Sequence, residues 1–293
     1  MNVGGQRLVV AWSWISSLVL VAAVSGIVGF LFFRGFPALN IRLIFGNTKP
    51  LAALLMQAPV FDGLLPAVAG TFMLVLTTVG LALPVGLGAG IYLAEYSCGR
   101  IKQLLSLFFD VLAGIPSIVV GLFGFSLAVF LHHHMSGRIY PCLLISALSL
   151  AFLVLPYLIR STQAALESLP AKDRITAPAL GASKLQNIRF VLLPRAMDGI
   201  VSGVILAIGR CAEDTAVIML TGAVATAGIP GSVMSNYEAL PFYIYYISSQ
   251  YMDQQELLSG FGAAIVLLTL CSALFLTSLM IKNCLSRRFH VRV

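Results

Sequence analysis

Six continuous apolar runs dominate this 293-residue chain, at about 11–33, 67–94, 104–131, 139–159, 197–221 and 260–282. An α-helix needs roughly 20 apolar residues to cross the hydrocarbon core of a bilayer. A spanning segment must also satisfy its own backbone hydrogen bonds, which leaves helices and closed barrels as the two solutions. Barrel strands alternate apolar and polar positions, and these runs do not alternate. The fold class that follows is all-α and integral to the membrane, with six transmembrane helices. Composition agrees: 59% of residues are hydrophobic and 10% charged, where a soluble domain carries about 25% charge. No stretch suggests a separate soluble domain, so residues 1–293 read as one transmembrane unit with its core at about 67–282.

The first run, Ala11–Phe33, carries no charge and is longer than the apolar region of a secretion signal. Arg34-Gly35-Phe36-Pro37 follows it in place of a small-x-small cleavage site. It is expected to be a retained helix.

The net charge of +7 is a topology signal, with no nucleic acid implied. Six spans place Arg7, Arg100, Lys102, Arg160, Lys172, Arg174, Lys184, Arg189, Arg195, Lys282, Arg287, Arg288 and Arg292 on the same side as the N-terminus. Arg34, Arg42, Lys49 and Arg138 fall on the other side. Positive residues accumulate on the cytoplasmic side, so both termini are expected to be cytoplasmic.

Small residues and prolines mark the spans. The second contains Pro84, Gly86, Gly88 and Gly90 and is expected to kink at Pro84 and to let a neighbour approach closely. The third contains Gly114-Ile115-Pro116-Ser117 and is expected to be a kinked helix. The segment 34–66, with Pro37, Pro50, Pro59 and Pro66, reads as an irregular outer loop with a short surface helix. In the outer segment 222–258, the aromatic cluster Phe242-Tyr243-Ile244-Tyr245-Tyr246 suits a helix lying in the membrane interface.

Between Arg160 and Arg195 the chain turns polar. A short helix is expected over Arg174–Leu180, a left-handed turn at Gly181, and a second short helix over Ser183–Val191 stopped before Pro194. Two short helices around a glycine make a compact knob that can seat in a groove on a partner. Ala177, Leu180, Gly181, Ala182, Leu193 and Pro194 are the candidate docking residues.

The fifth run holds Arg210, Glu213 and Asp214. A charge inside a span costs roughly 2.5–3.5 kcal/mol on insertion scales and persists where it pairs or lines a polar pathway. At i+3 and i+4 both acids can share the helix face of Arg210. A guanidinium forks onto tetrahedral oxyanions, and a carboxylate beside it can hold the arginine or accept a proton from a hydrogen phosphate. Arg160 stands where the fourth span ends, as a guide for anions or a snorkelling anchor. Ser117, beside Pro116, can line the path or bond back to its own helix.

Other features exclude function classes. Three consecutive histidines, His132–His134, are expected in a short outer loop before Arg138; they cannot share one helical or strand face, and no metal site is expected there. Five cysteines at unrelated spacings imply neither a disulfide framework nor zinc. No nucleotide-cradling G-x-x-x-x-G-K-[ST] occurs, so no cofactor is expected on this chain, and ATP-driven work needs another subunit. No nucleophile–base pair suggests an enzyme acting on lipids.

The loop resembles the signature of ABC importer permeases, in which Glu-Ala-Ala precedes a glycine and Ile-x-Leu-Pro follows. Ile175-Thr176-Ala177 stands for the triplet, Gly181 for the glycine and Val191-Leu192-Leu193-Pro194 for the tail. Tyr92-Leu93-Ala94-Glu95-Tyr96, Leu112–Gly121 and Gly209-Arg210-Cys211-Ala212-Glu213-Asp214-Thr215-Ala216 together resemble phosphate permeases of the PstA type, from about Gly63 to the C-terminus. Where that family reads Gly-Arg-x-x-Gly-Glu-Thr-Ala, Glu213 takes the glycine place and Asp214 the glutamate place.

The resemblance implies a type I permease fold and a place in the bacterial cytoplasmic (inner) membrane. It implies import of inorganic phosphate with a PstC-like permease, a PstB-like ATPase dimer that uses ATP, and an extracytoplasmic phosphate-binding protein. It also implies a path past Arg210, Asp214, Glu213, Arg160 and Ser117. A permease for another oxyanion (molybdate, tungstate or sulfate) is the alternative.

Overall fold

A computed structural model describes residues 3–50, 60, 63–134 and 140–290. Pro59, Arg138 and Arg292 lie outside them, as do the side chains of Cys284, Arg287 and Arg288. The helices are α1 (Val3–Gly35), α2 (Ile41–Phe45), α3 (Leu65–Ile91), α4 (Gly99–Ala113), α5 (Ser117–His134), α6 (Leu143–Glu167), α7 (Ala171–Ala179), α8 (Lys184–Asn187), α9 (Leu193–Glu213), α10 (Thr215–Thr221), α11 (Leu240–Gln250) and α12 (Gln254–His290). Among the described residues six helical stretches are long and apolar enough to cross a membrane: Val9–Ala38, Leu65–Tyr96, Ser117–His134, Leu143–Glu167, Lys184–Glu213 and Gln254–Asn283. The expected all-α, six-span fold is observed.

Helix α6 is the axis of the bundle. Leu143, Leu150, Val154, Leu158, Ile159 and Leu166 are each no more than 1% exposed. Its neighbours come close through small residues. A Cβ added to Gly86 of α3 would lie 2.7 Å from Leu158 Cβ, and one on Gly90 2.6 Å from Thr162 Cβ. From α9, Gly199 meets Ala165 and Gly203 meets Ser161. Each pair is spaced i, i+4 on both helices, one ridge against another. Gly88, expected to share this role, meets nothing within 4 Å. Helix α1 is peripheral. It exposes Trp12, Trp14 and Leu18 and docks through its end, where Gly35 abuts Phe261 and Ile265 of α12.

The two ends of α6 carry different structures. At its start, the amides of Leu143 and Leu144 donate to the carbonyls of Ser235 (3.1 Å) and Val233 (2.8 Å). The segment 222–239 therefore caps a helix end whose amides have no partner inside the helix. At its other end lies the α7–α8 connection. The expected short helix in segment 34–66 is α2, and the expected aromatic helix is α11.

Four expectations are corrected. The third run is two helices, α4 and α5, because Pro116 lacks an amide and pushes Ile115 out of helical geometry. The fourth run ends near Leu158 in hydropathy, but α6 continues to Glu167, since polar residues extend a helix as readily as apolar ones. His132–His134 form the last turn of α5 rather than a loop, with His134 stacked on Phe130 at 4.1 Å and His132 against Tyr140 at 4.7 Å. The second loop helix does not stop before Pro194. It runs from Lys184 through a π turn, Ile188–Leu192, into α9, and the wider turn accommodates a proline that cannot donate.

Candidate functional site

Arg210 lies in the last turn of α9. Its Nη1 donates to Glu213 Oε1 at 3.1 Å, and the two side chains are 40% and 64% exposed. Arg210 Nε is buried without a hydrogen-bond partner. The pair borders a cavity of about 470 Å³ between α6, α9 and α12, lined also by Tyr157, Ser202, Gly209 and Phe275. Glycine at 209 lets Phe275 come within 3.2 Å of where a Cβ would stand. The cavity wall is mainly apolar, and its charge is concentrated in one arginine with one acid beside it.

Asp214 does not share that face. The backbone there is extended (φ −76°, ψ 108°), α9 ends, and Asp214 Oδ1 accepts from Val217 N at 2.9 Å as the N-cap of α10. The residue is 7% exposed. The fifth run thus breaks where a short acid competes for backbone amides. The expected pairing of both acids with Arg210 is corrected to a pairing with Glu213 alone.

Arg160 and Ser117 do not line the cavity either. Arg160 Nε donates to Asp110 Oδ1 (2.8 Å), Nη1 to Gln163 Oε1 (3.1 Å) and Nη2 to the Ser106 carbonyl (2.8 Å). A second contact closes on Asp110 Oδ2. With Lys102–Glu167 at 2.7 Å, these bonds lace α4 antiparallel along the end of α6. Arg160 is committed to that brace. Ser117 is half-buried and opens α5, so no preceding turn of that helix is available for it to bond back to.

The knob is built as a second unit. Gly181 adopts φ +89°, the left-handed turn expected there. Ser183 and Gln186 form a reciprocal capping box at the start of α8. Leu180 is 86% exposed and Ile175 67%. Ala177 and Ala182 are half-buried beside them. Leu193 and Pro194 are half-buried at the root of α9, where Leu193 packs on Leu166, Ile188 and Leu192. They support the knob rather than form its tip. Asp173 pairs with Arg195, and Asn187 Nδ2 donates to the Arg174 carbonyl at 3.0 Å.

Residues 86–288 match the family of the binding-protein-dependent transport system inner membrane component. The chain belongs to this family. The permease is 33% identical over 273 residues to the phosphate transport system permease protein PstA of Haemophilus influenzae, covering 92% of each chain. It is 33% identical over 227 residues to PstA 1 of Mycobacterium tuberculosis strain H37Rv, 77% of this chain and 71% of that one. In solved structures, a bacterial ABC transporter involved in the import of the acidic polysaccharide alginate aligns with TM-score 0.58 at 16% identity, over 95% of this chain and 98% of that one. The methionine transporter MetNI aligns with TM-score 0.51 at 18% identity, over 83% and 99%. These likenesses show the ABC importer permease fold. The permease is a multi-pass inner-membrane protein, and its kind works with an ATPase and a substrate-binding protein.

Sequence reading missed Tyr157, Ser202 and Phe275 in the cavity and Asp110 and Glu95 as partners. Tyr157, one turn before Arg160, carried a signal in its neighbourhood. Asp110 carried none, because its partner lies fifty residues away.

Proposed function

We propose that this permease is the PstA-type membrane subunit of an ATP-driven phosphate importer. It forms the translocation path with a PstC-like permease and receives phosphate from an extracytoplasmic binding protein. ATP is hydrolysed on a PstB-like ATPase dimer that docks on the knob through Ile175, Leu180 and Gly181. No cofactor is held by this chain, the single transmembrane domain spans 1–293, and both termini face the cytoplasm.

The observation that carries the reading is the Arg210–Glu213 pair beside a mainly apolar cavity. An anion that displaces Glu213 gains the guanidinium fork. Phosphate at neutral pH retains at least one P–OH, which can donate to the displaced carboxylate. Sulfate and molybdate carry no such proton and meet repulsion from Glu213. The family likeness to PstA proteins supports the same choice.

Glu213, standing where that family has glycine, favours a second reading, a permease for molybdate, tungstate or sulfate. Uptake of radiolabelled phosphate by the assembled transporter, challenged with excess sulfate, molybdate and tungstate, separates the two. Saturable uptake that resists those anions is expected. Absence of saturable phosphate uptake, with saturable uptake of radiolabelled molybdate, tungstate or sulfate that excess phosphate does not block, overturns the phosphate assignment.

A further inference from the structure

The Tyr92–Tyr96 turn is a family-like motif that the transport path and the docking tip leave without a role. It forms a π turn at the end of α3, on the same end of the bundle as the knob. Glu95 is half-buried there, with its side chain 8% exposed, and it pairs with Arg174 Nε of α7 at 3.1 Å. Arg174 spends its other donors on the carbonyls of Leu169 (3.0 Å) and Leu166 (2.7 Å) at the end of α6. One guanidinium therefore joins the knob, α3 and α6. The second loop helix is held by the same turn: Lys184 Nζ donates to the Glu95 carbonyl and lies 4.3 Å from the centre of the Tyr96 ring. Tyr96 in turn lies parallel to Tyr92.

Without this turn the knob reaches the bundle through the two helices it is continuous with, α6 before it and α9 after it, and Asp173–Arg195 ties it to α9. With it, a displacement of the knob is also delivered to α3. The close α3–α6 contacts at Gly90 and Gly86 then pass it to α6, whose Tyr157 lines the Arg210 cavity. A half-buried ion pair suits such a joint, because separating its members leaves the shielded Glu95 carboxylate without its partner. We propose that Glu95, with Lys184, is the clamp that makes α3 move with the knob. It is a positioning residue for coupling, distinct from the docking tip and from the anion path, and it rests on the transport reading given above.

The test is the number of ATP molecules hydrolysed per phosphate imported, measured on the assembled transporter in proteoliposomes. Glu95→Ala is expected to raise that ratio about tenfold, within the usual range of coupling between sites, while the ATPase subunit stays bound and hydrolysis persists. Glu95→Gln keeps an acceptor oxygen and should recover part of the loss. Lys184→Ala, at an exposed position, tests the clamp even if Glu95→Ala fails to assemble, and should raise the ratio by a smaller factor. An unchanged ratio in the assembled variants, or uptake and hydrolysis falling in proportion, overturns the clamp. If the unmodified protein couples no ATP hydrolysis to uptake of any oxyanion, the transport reading itself fails.

Discussion

Arg210 and Glu213 form an ion pair across one helical turn, with the arginine Nε left buried and unpartnered beside the cavity. The acid holds the arginine without exhausting it. At 40% and 64% exposure the pair is weak, since exposed ion pairs contribute about 0–1 kcal/mol. A weak pair suits the proposed path, which an anion must enter and leave.

Glu213→Gln is predicted to lower the KM for phosphate uptake by up to roughly fivefold, the amount corresponding to loss of a competing exposed pair. Arg210→Ala is predicted to abolish uptake while the subunits still assemble. Initial-rate uptake measurements at varied phosphate check both.

Asp214→Ala removes the cap of α10 and should destabilise the protein by about 1 kcal/mol. Asp214→Ser, which can still accept from Val217 N, should restore most of it. Thermal unfolding in detergent distinguishes Asp214, a structural residue, from Glu213, whose substitution should leave the midpoint unchanged.

Breaking the α4–α6 brace from either side should give the same result. Asp110→Ala and Arg160→Ala are each predicted to cost about 1 kcal/mol or less and to reduce uptake alike. Loss of uptake in Arg160→Ala alone would return that arginine to the anion path.

The segment 222–239 should tighten in acid. Burial raises the Glu238 carboxyl above the ordinary glutamate value, against the lowering effect of amide bonds from Gly228 and Ala227, each 2.9 Å long. A folded-state value above the unfolded one contributes stability that is full below the unfolded value and lost as pH rises through the folded one. Hydrogen exchange at the Ala227 and Gly228 amides, corrected for intrinsic rate, should therefore show protection falling as pH rises above the ordinary glutamate value. Glu238→Gln should remove the trend.

The spans were legible because hydrophobicity over about 20 residues is a physical requirement of the bilayer, and the knob because Gly181 and Pro194 punctuate a polar stretch. What escaped was local competition inside apolar runs. Asp214 ends a helix by offering its own oxygen to Val217, and Pro116 divides a run that hydropathy reads as continuous. Pairings such as Arg160–Asp110 and Arg174–Glu95 join residues fifty and seventy-nine positions apart. Such contacts depend on how α4, α6 and α3 pack, which no periodicity encodes. The Arg210–Glu213 pair was legible because the two stand three positions apart on one helix.

In the proposed function, work from a nucleotide-hydrolysing partner enters through the exposed tip around Leu180. A photo-crosslinking residue placed at position 180 of the full-length permease in native membranes tests it directly. A covalent adduct with an ATP-binding subunit is expected, its yield changing on adding ATP. Adducts with lipid or other proteins, and none with an ATP-binding subunit, would contradict it.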